Sequence, residues 1–264
     1  MNAFLIIAKN TWNENFAYRL NFILWRVRVI IRFLIIYFLW SSVYKSDFTG
    51  FGYTQQMMLT YVFLVYVISN LVFATRTQEI GSEINEGKLT NYLLKPFTYV
   101  KHLLARDVSD KLLNFGFTLI ETGILFFILK PPFFVQTNSV NILLTFITIL
   151  FSVSIYFFIS FILGCIGFWT TEVWAIRFIF IILLDYLSGS FFPIDILPEA
   201  LKNFLMLTPF PYLYYFPTKI YLGDITGENV IKGLVISGIW LGILYWLTIQ
   251  TWKKGLKVYT ADGR

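Results

Sequence analysis

The chain has too few cysteines and histidines for several common kinds of functional site. Its 264 residues include one cysteine, Cys165, and one histidine, His102. A single thiol cannot form a disulfide within the chain or a cysteine-based metal site. A single imidazole argues against a histidine-ligated metal centre and against a histidine-dependent catalytic triad. We therefore expect neither a metal site nor a catalytic residue.

Charged residues are also scarce. They make up 14% of the chain, whereas a soluble domain has about 25%. Hydrophobic residues make up 57%, and there are 29 Phe, 16 Tyr and 8 Trp. Such a chain cannot cover a globule with polar surface, so we expect lipid to cover it. The net charge of +6 lies beside apolar runs and not on a soluble module, which argues against a nucleic-acid partner.

Six apolar stretches have the roughly 20 residues that a helix needs to cross a bilayer. They cover residues 22–44, 57–75, 112–129, 140–168, 174–192 and 230–252. The sequence therefore predicts an all-α integral membrane protein with six transmembrane helices in a single domain, residues 1–264. The first stretch carries Arg26, Arg28 and Arg32 near its start, so we expect that end to be interfacial or covered by protein.

The basic residues predict the orientation. Sixteen of the 21 Lys and Arg residues lie on the same side as the N-terminus, and five lie on the other side. Those five are Lys45, Lys130, Lys202, Lys219 and Lys232. Because cytoplasmic loops carry the excess of basic residues, we predict that both termini are cytoplasmic, in a bacterial cytoplasmic membrane.

The first 21 residues have the pattern of an amphipathic helix. Apolar residues recur at four-residue spacing, and polar residues lie opposite them. The apolar residues are Phe4, Ala8, Trp12 and Phe16, and the polar ones are Lys9, Asn10, Asn13 and Glu14. The pattern predicts an interfacial helix, with a simple extension of the first span as the alternative.

Residues 76–110 form the largest predicted cytoplasmic stretch. Ile80 and Ile84 lie on one helical face between carboxylates that we expect to be exposed, which suggests docking onto another protein. Gly87 is placed to end this helix and Pro96 to end the next one. The run from Gly81 to Gly87 differs from a phosphate-binding loop, which needs four residues between the glycines and Ser or Thr after the lysine. Here there are five residues, and a leucine follows the lysine, so we expect no nucleotide site.

Residues 188–228, between the fifth and sixth spans, are rich in proline and glycine and yet apolar. Eight of these residues are prolines or glycines, and large apolar residues lie among them. The combination predicts short extracellular helices that enter the outer leaflet or cover a cavity.

Two carboxylates lie inside predicted spans. Glu121 shares a helical face with Asn114, Thr118 and Thr122, and this polar stripe indicates a position in the bundle interior. For Glu121 a transport pathway and a structural pair stay open. For Asp185 a structural pair is favoured, with Arg177 or with another subunit.

Small residues recur along the fourth span. Ser160, Gly164 and Gly167 leave room for another helix to approach closely. We interpret them as a packing surface and not as a binding site.

Taken together, these features resemble the permease subunits of type-2 ABC exporters, the ABC-2 transporter family. The resemblance rests on the order of the segments and on two motifs. The stretch EINEGKL at 83–89, followed by LLKP at 93–96, looks like the coupling-helix segment of the family. The stretch GSFFP at 189–193 resembles its extracellular G-x-x-F-P element, and Pro198 follows.

The resemblance implies partners and roles. The coupling segment would dock onto a separate ABC ATPase present in two copies, and a second permease, identical or homologous, would complete the pore. This chain would bind no cofactor, and ATP and Mg would bind the ATPase. The implied coupling residues are Glu79, Ile80, Glu83, Ile84, Glu86, Gly87, Leu89, Leu93 and Pro96. The implied extracellular element contains Gly189, Phe192, Pro193 and Pro198.

The sequence thus predicts an exporter permease that moves an amphipathic or hydrophobic cargo. A pathway or subunit seam would involve Asn114, Thr118, Glu121, Thr122 and Asp185. The alternatives are a membrane-embedded lipid-modifying enzyme and an ion channel component. The enzyme would need clustered His, Asp or Glu, and the channel would need a repeated polar stripe; neither pattern is evident.

Overall fold

The computed structural model describes residues 3–17, 19–45, 50–94 and 98–260. Within these residues the chain forms helices and no β-strand, which confirms the all-α prediction. The α-helices are α1 (Ala3–Ala17), α2 (Arg19–Lys45), α3 (Gln55–Phe73), α4 (Ile80–Asn85), α5 (Leu89–Leu93), α6 (Tyr99–Leu129), α7 (Ser139–Cys165), α8 (Val173–Leu187), α9 (Glu199–Met206), α10 (Tyr215–Leu222) and α11 (Glu228–Val258). Short 3-10 turns cover Gly50–Gly52, Arg76–Glu79, Ile166–Phe168, Ile194–Ile196 and Phe210–Tyr212.

Among the described residues, four helices are long and apolar enough to cross a bilayer: α3, α6, α7 with the turn after it, and α11. They match the second, third, fourth and sixth predicted spans. The other two predicted spans fall on α2, which carries four arginines, and on α8, which has 15 residues. At about 1.5 Å per residue α8 extends only about 22 Å, short of a hydrocarbon core of about 30 Å. The six-span topology therefore stays a prediction.

The long helices have defined ends. Thr54 accepts a hydrogen bond from the backbone nitrogen of Met57 at 3.2 Å where α3 begins. Asn138 accepts one from the nitrogen of Val140 at 2.9 Å where α7 begins. These side chains satisfy backbone donors that have no partner within the helix.

Helix α3 lies at the centre of the molecule. In the most apolar stretch of α3, 61% of the residues are buried, whereas the corresponding share is 22% in α6 and in α11. It contacts α2, α6, α7 and α10, and its buried Tyr61, Phe63 and Ile68 belong to the main core. The outward faces of α6, α7 and α11 instead expose large apolar side chains, as expected for surfaces that contact lipid.

The N-terminal helix α1 lies beside α6. Helix α1 packs against the N-terminal half of α6, where the Trp12 indole donates a hydrogen bond to the Ser109 carbonyl at 2.8 Å. Phe16 leaves 57% of its surface exposed. The side chains of Phe4 and Ala8 lie outside the described part of the chain. A position of α1 at the membrane interface stays a prediction.

The segment 188–228 contains short helices, as its prolines and glycines predict, and much of it is buried. Helix α10 packs against α3 and α7. Tyr214, Tyr215, Phe216 and Ile220 are each at most 2% exposed. This segment is therefore part of the core and not a loose loop.

Candidate coupling site and membrane cleft

The coupling segment, residues 76–94, is folded onto the rest of the chain. It consists of a 3-10 turn, α4 and α5, and Gly87 separates the two helices with a φ of 70°, in the left-handed region that favours glycine. The Gly87 carbonyl accepts a hydrogen bond from the Tyr259 hydroxyl at 3.1 Å, and the Thr90 nitrogen donates to the same hydroxyl oxygen at 3.2 Å. Tyr259 follows α11, so the end of the last helix holds the corner between α4 and α5.

The inward face of α4 differs from the prediction. Ile80 is fully buried and Ile84 is 5% exposed, in a cluster that includes Phe161 of α7. Glu83 is only 7% exposed. The expectation that Ile80 and Ile84 form an external docking stripe beside an exposed Glu83 is therefore wrong, because the apolar ends of α6 and α7 cover this face. Leu89 is fully buried in the same cluster.

Glycines allow α4 to approach α7 closely. A Cβ atom on Gly164 would lie 2.7 Å from the Ile80 Cβ, and one on Gly167 would lie 3.0 Å from the Gly81 backbone. A larger side chain at either position would therefore require the coupling segment to move. Gly164 and Gly167 thus form a packing surface, as predicted, and their partner is the coupling segment. Ser160 instead accepts hydrogen bonds from Arg177 of α8.

Arg106 connects the coupling segment to α1. Its guanidinium lies 3.0 Å from a carboxylate oxygen of Glu14 and 3.0 Å from one of Glu79, and 3.7 Å from Glu83. Burial raises the pKa of Glu83, although the Tyr99 hydroxyl, which donates to it, and the charge of Arg106 act in the opposite direction. The side chain of Arg106 is only 9% exposed, but those of Glu14 and Glu79 are 49% and 36% exposed, so solvent screens these two pairs more than it screens the pair with Glu83.

Arg76 connects the coupling segment to the middle of α6. It forms an ion pair with Asp110 and a second one, at 2.6 Å, with Glu79. Burial opposes the charged form of Arg76, but the hydrogen bond from Arg76 to Asp110 and the charges of Asp110 and Glu79 outweigh burial and raise its pKa.

The outward face of the coupling segment is exposed in the part of the chain that the structure describes. Leu94 is 81% exposed and Leu93 is 45% exposed. The other exposed residues of this face are Ser82, Glu86, Lys88 and Asn91. Pro96, predicted to end the second helix, lies outside the described residues. We call this set the outer coupling face.

A polar cluster joins α2, α3 and α6. The Arg26 Nε donates to Glu121 at 2.7 Å, and a second nitrogen of the same guanidinium completes a two-pronged ion pair. Arg26 also donates to Asn70 at 3.1 Å, to Asn114 at 3.3 Å and to Thr118 at 3.1 Å. Arg26 is 4% exposed. The predicted polar stripe on α6 therefore faces protein, with an arginine of α2 as its partner.

The structure separates the other intramembrane candidates from this cluster. The Thr122 hydroxyl is buried without a hydrogen-bond partner among the described residues. Asp185 pairs with Arg32 at 2.9 Å. The suggested partner Arg177 instead donates to the Ser160 carbonyl at 3.1 Å and to the Thr77 carbonyl at 3.3 Å.

The pair of Arg32 and Asp185 lies on the wall of a cleft. This cleft has a volume of about 490 Å³ and runs between α2, α3 and α8. Its lining is mostly apolar and aromatic, with Arg28 and Arg177 as further charged residues. A volume of this size is within the range of small-molecule sites.

The main chain of the predicted extracellular element is hydrogen-bonded to α3. Gly189 has a φ of 81°, and its carbonyl accepts a hydrogen bond from the Tyr61 hydroxyl at 2.6 Å. Pro193 is buried, Phe192 is partly buried, and Pro198 directly precedes α9.

Near this element Asp195 is the centre of a charged cluster. It accepts hydrogen bonds from Tyr53 and Tyr215, both at 2.7 Å, and pairs with Lys202 at 2.6 Å and with Lys219 at 3.0 Å. Burial would raise the pKa of Asp195, but the hydrogen bonds from Lys202 and Tyr215 and the charge of Lys219 outweigh it and hold this pKa well below its usual value.

Sequence reasoning missed two connecting residues. These are Arg106 and Tyr259, neither of which the sequence singles out as a contact residue. A signal existed for Arg106, because it lies one helical turn before Asp110 and carboxylates are abundant in the segment before it. Nothing in the sequence indicates that Tyr259 contacts Gly87, 172 residues away.

The fold and these sites define a multi-pass, all-α membrane protein with a folded segment that joins several helices at one end. A protein family described as ABC-2 family transporter proteins matches residues 30–263. The chain belongs to this family, and it is therefore a membrane permease component of an ABC transporter and not itself an enzyme. Membership implies association with an ABC ATPase. No curated protein matches the chain.

Proposed function

We propose that the chain is the permease of an ATP-driven exporter, with six spans and both termini in the cytoplasm of a bacterial cell. Two copies of a separate ATPase bind ATP and Mg, and a second permease, identical or homologous, completes the pore. The cargo is amphipathic or hydrophobic. The shape of the coupling segment is the observation that carries this proposal.

The coupling segment has one fixed face and one free face. Its inner face is packed against α7 and hydrogen-bonded to Tyr259, and its outer coupling face is exposed and includes Leu94. A partner that pushes on the outer face therefore moves an element that is already in contact with the membrane helices. Packed elements shift between discrete arrangements and do not deform continuously, which suits a relay of motion.

Two connections support a relay from this segment into the membrane. Arg76 and Arg106 tie it to α6 and α1. Arg177 of α8 donates to the carbonyl of Thr77, and so ties α8 to the first turn of the segment. A displacement of the segment would reach α8, which lines the cleft, and α6, which holds the cleft helix α2 through Glu121 and Arg26.

The test is co-purification of the ATPase with variants of the outer coupling face. Leu94→Asp and Glu86→Lys change exposed side chains, so the membrane helices should stay folded. We expect both variants to lose most of the bound ATPase at equal expression. Glu228→Lys is the matched control, since Glu228, like Glu86, is exposed and pairs with a nearby lysine.

The control should retain the ATPase at the wild-type level. Retention of the ATPase by both outer-face variants would show that the segment is not the docking element.

A further inference from the structure

The cleft between α2, α3 and α8 has more positive than negative charge. Among the described residues that line it, three are arginines, Arg28, Arg32 and Arg177, and one is a carboxylate, Asp185. Arg32 and Asp185 neutralise each other at 2.9 Å. No ion pair is found for Arg28 or Arg177 within the described residues.

Arg177 is 92% buried, being 8% exposed, and yet among the described residues its hydrogen bonds go only to neutral oxygen atoms of Ser160 and Thr77. Its Nε is buried with no hydrogen-bond partner in the described part of the chain. A buried cation without a counter-ion is costly, more so in a membrane. An anion in the cleft would relieve this cost.

Arg28 presents to the same space a second guanidinium that has no ion pair among the described residues. It is two residues from Arg26, so it lies on the opposite side of α2 from the buried polar cluster, and it lines the cleft. Arg28 is exposed. An exposed arginine on a helix with so many apolar neighbours indicates a charged partner at that position.

The rest of the cleft wall suits a hydrocarbon chain. Trp25, Phe33, Val62, Phe178 and Ile182 line it. Two guanidinium groups that have no ion pair among the described residues, beside an apolar wall, complement a molecule that has an anionic head and an apolar tail. Guanidinium groups bind phosphate oxygens through paired hydrogen bonds, which favours a phosphate head.

We propose that the cleft binds an amphiphile whose headgroup is a phosphate monoester of net negative charge, which contacts Arg28 and Arg177 while its tail lies along the aromatic and aliphatic wall. The site lies near the coupling segment, because Arg177 also bonds to Thr77 of the turn that begins that segment. This inference rests on the proposed function, since it names the chemical class of the cargo.

The experiment measures binding without any ATPase. The purified chain in phosphatidylcholine nanodiscs is titrated with a brominated single-chain alkyl phosphate, and quenching of tryptophan fluorescence reports the approach of bromine. Trp25 and Trp174 line the cleft, so a variant with both replaced by phenylalanine should lose most of the saturable quenching. A phosphocholine amphiphile with the same brominated chain tests for headgroup preference, and inorganic phosphate tests for a free anion.

We expect the alkyl phosphate to bind more tightly than the phosphocholine compound and to resist competition by inorganic phosphate. Arg28→Gln should weaken its binding about tenfold, the loss expected for one charge-assisted contact, and Arg28→Lys should weaken it less. Arg19→Gln is the matched control, because Arg19 is an exposed arginine on the same helix but does not line the cleft. Arg28 is preferred to Arg177 because, in the part of the chain that the structure describes, its replacement removes no hydrogen bond between helices, whereas Arg177 donates to Ser160 and Thr77.

Equal binding of the two headgroups, or unchanged binding by Arg28→Gln, would overturn the proposal. Competition by inorganic phosphate at equal concentration would also overturn it, in favour of a site for free anions. These results would leave co-purification of the ATPase unaffected, so failure here is distinct from failure of the proposed function.

Discussion

The ion pair between Arg26 and Glu121 gives the sharpest prediction on stability. Glu121→Gln keeps the size and one acceptor oxygen of the side chain but removes the negative charge. Arg26 would then be a cation, 4% exposed, held only by the neutral groups of Asn70, Asn114 and Thr118. Breaking one side of a buried pair costs about 3–5 kcal/mol. Because three hydrogen bonds to Arg26 survive, we expect the lower end, about 3 kcal/mol.

The assay measures the free energy of unfolding of the purified variants in mixed micelles. Glu228→Gln, at an exposed position, is the control. The double variant Arg26→Gln and Glu121→Gln removes both charges, so no uncompensated ion is left. We expect it to be more stable than the sum of the two single variants by about 2 kcal/mol, in the range measured for contacting residues. A loss below about 1 kcal/mol for Glu121→Gln, or strict additivity in the cycle, would refute the idea that this pair holds α2 to α6.

Three further predictions follow from other parts of the molecule. Gly167→Val should push α4 away from α7 and uncouple ATP hydrolysis from transport in a reconstituted system. Gly238 has open space around it, so Gly238→Val should leave this coupling unchanged. Equal coupling in the two variants would contradict the packing argument. Asp195→Asn should lower stability by about 2 kcal/mol at pH 7. Because the pKa of Asp195 is lowered on folding, this difference from wild type should be complete above about pH 5, should shrink once the pH falls below about 4, the pKa of an unfolded Asp, and should vanish only below the lowered pKa of the folded state. A difference independent of pH would count against the cluster. In intact cells a cysteine that replaces Thr137 should react with an impermeant thiol reagent, and one that replaces Lys88 should not. The native Cys165 is buried, so we expect little background labelling. Labelling at position 88 would reverse the predicted orientation.

The sequence predicts elements here better than contacts. Apolar length and helix-ending residues are local properties, so the four long apolar helices and the corner at Gly87 could be predicted. The polar stripe around Glu121 was recognisable for the same reason, but its partner Arg26 lies 95 residues away, and no local pattern links them. The orientation of Ile80 was predicted wrongly because an apolar stripe has the same appearance whether it binds another protein or its own chain. Only the glycines at the end of α7 could have indicated that the chain itself covers this stripe.

Helix α6 connects the coupling segment to the polar cluster at the middle of the bundle. Its N-terminal half carries Arg106 and Asp110, which pair with the coupling segment, and further along it carries Asn114 and Glu121, which bind Arg26. Arg106 and Glu121 are separated by about 22 Å along one uninterrupted helix. A tilt of α6 caused at its N-terminal half must therefore move the groups that hold α2, and α2 forms one wall of the cleft. The buried polar pairs thus couple the movements of α6 and α2 more firmly than apolar packing alone would, because their directional hydrogen bonds resist sliding between the helices.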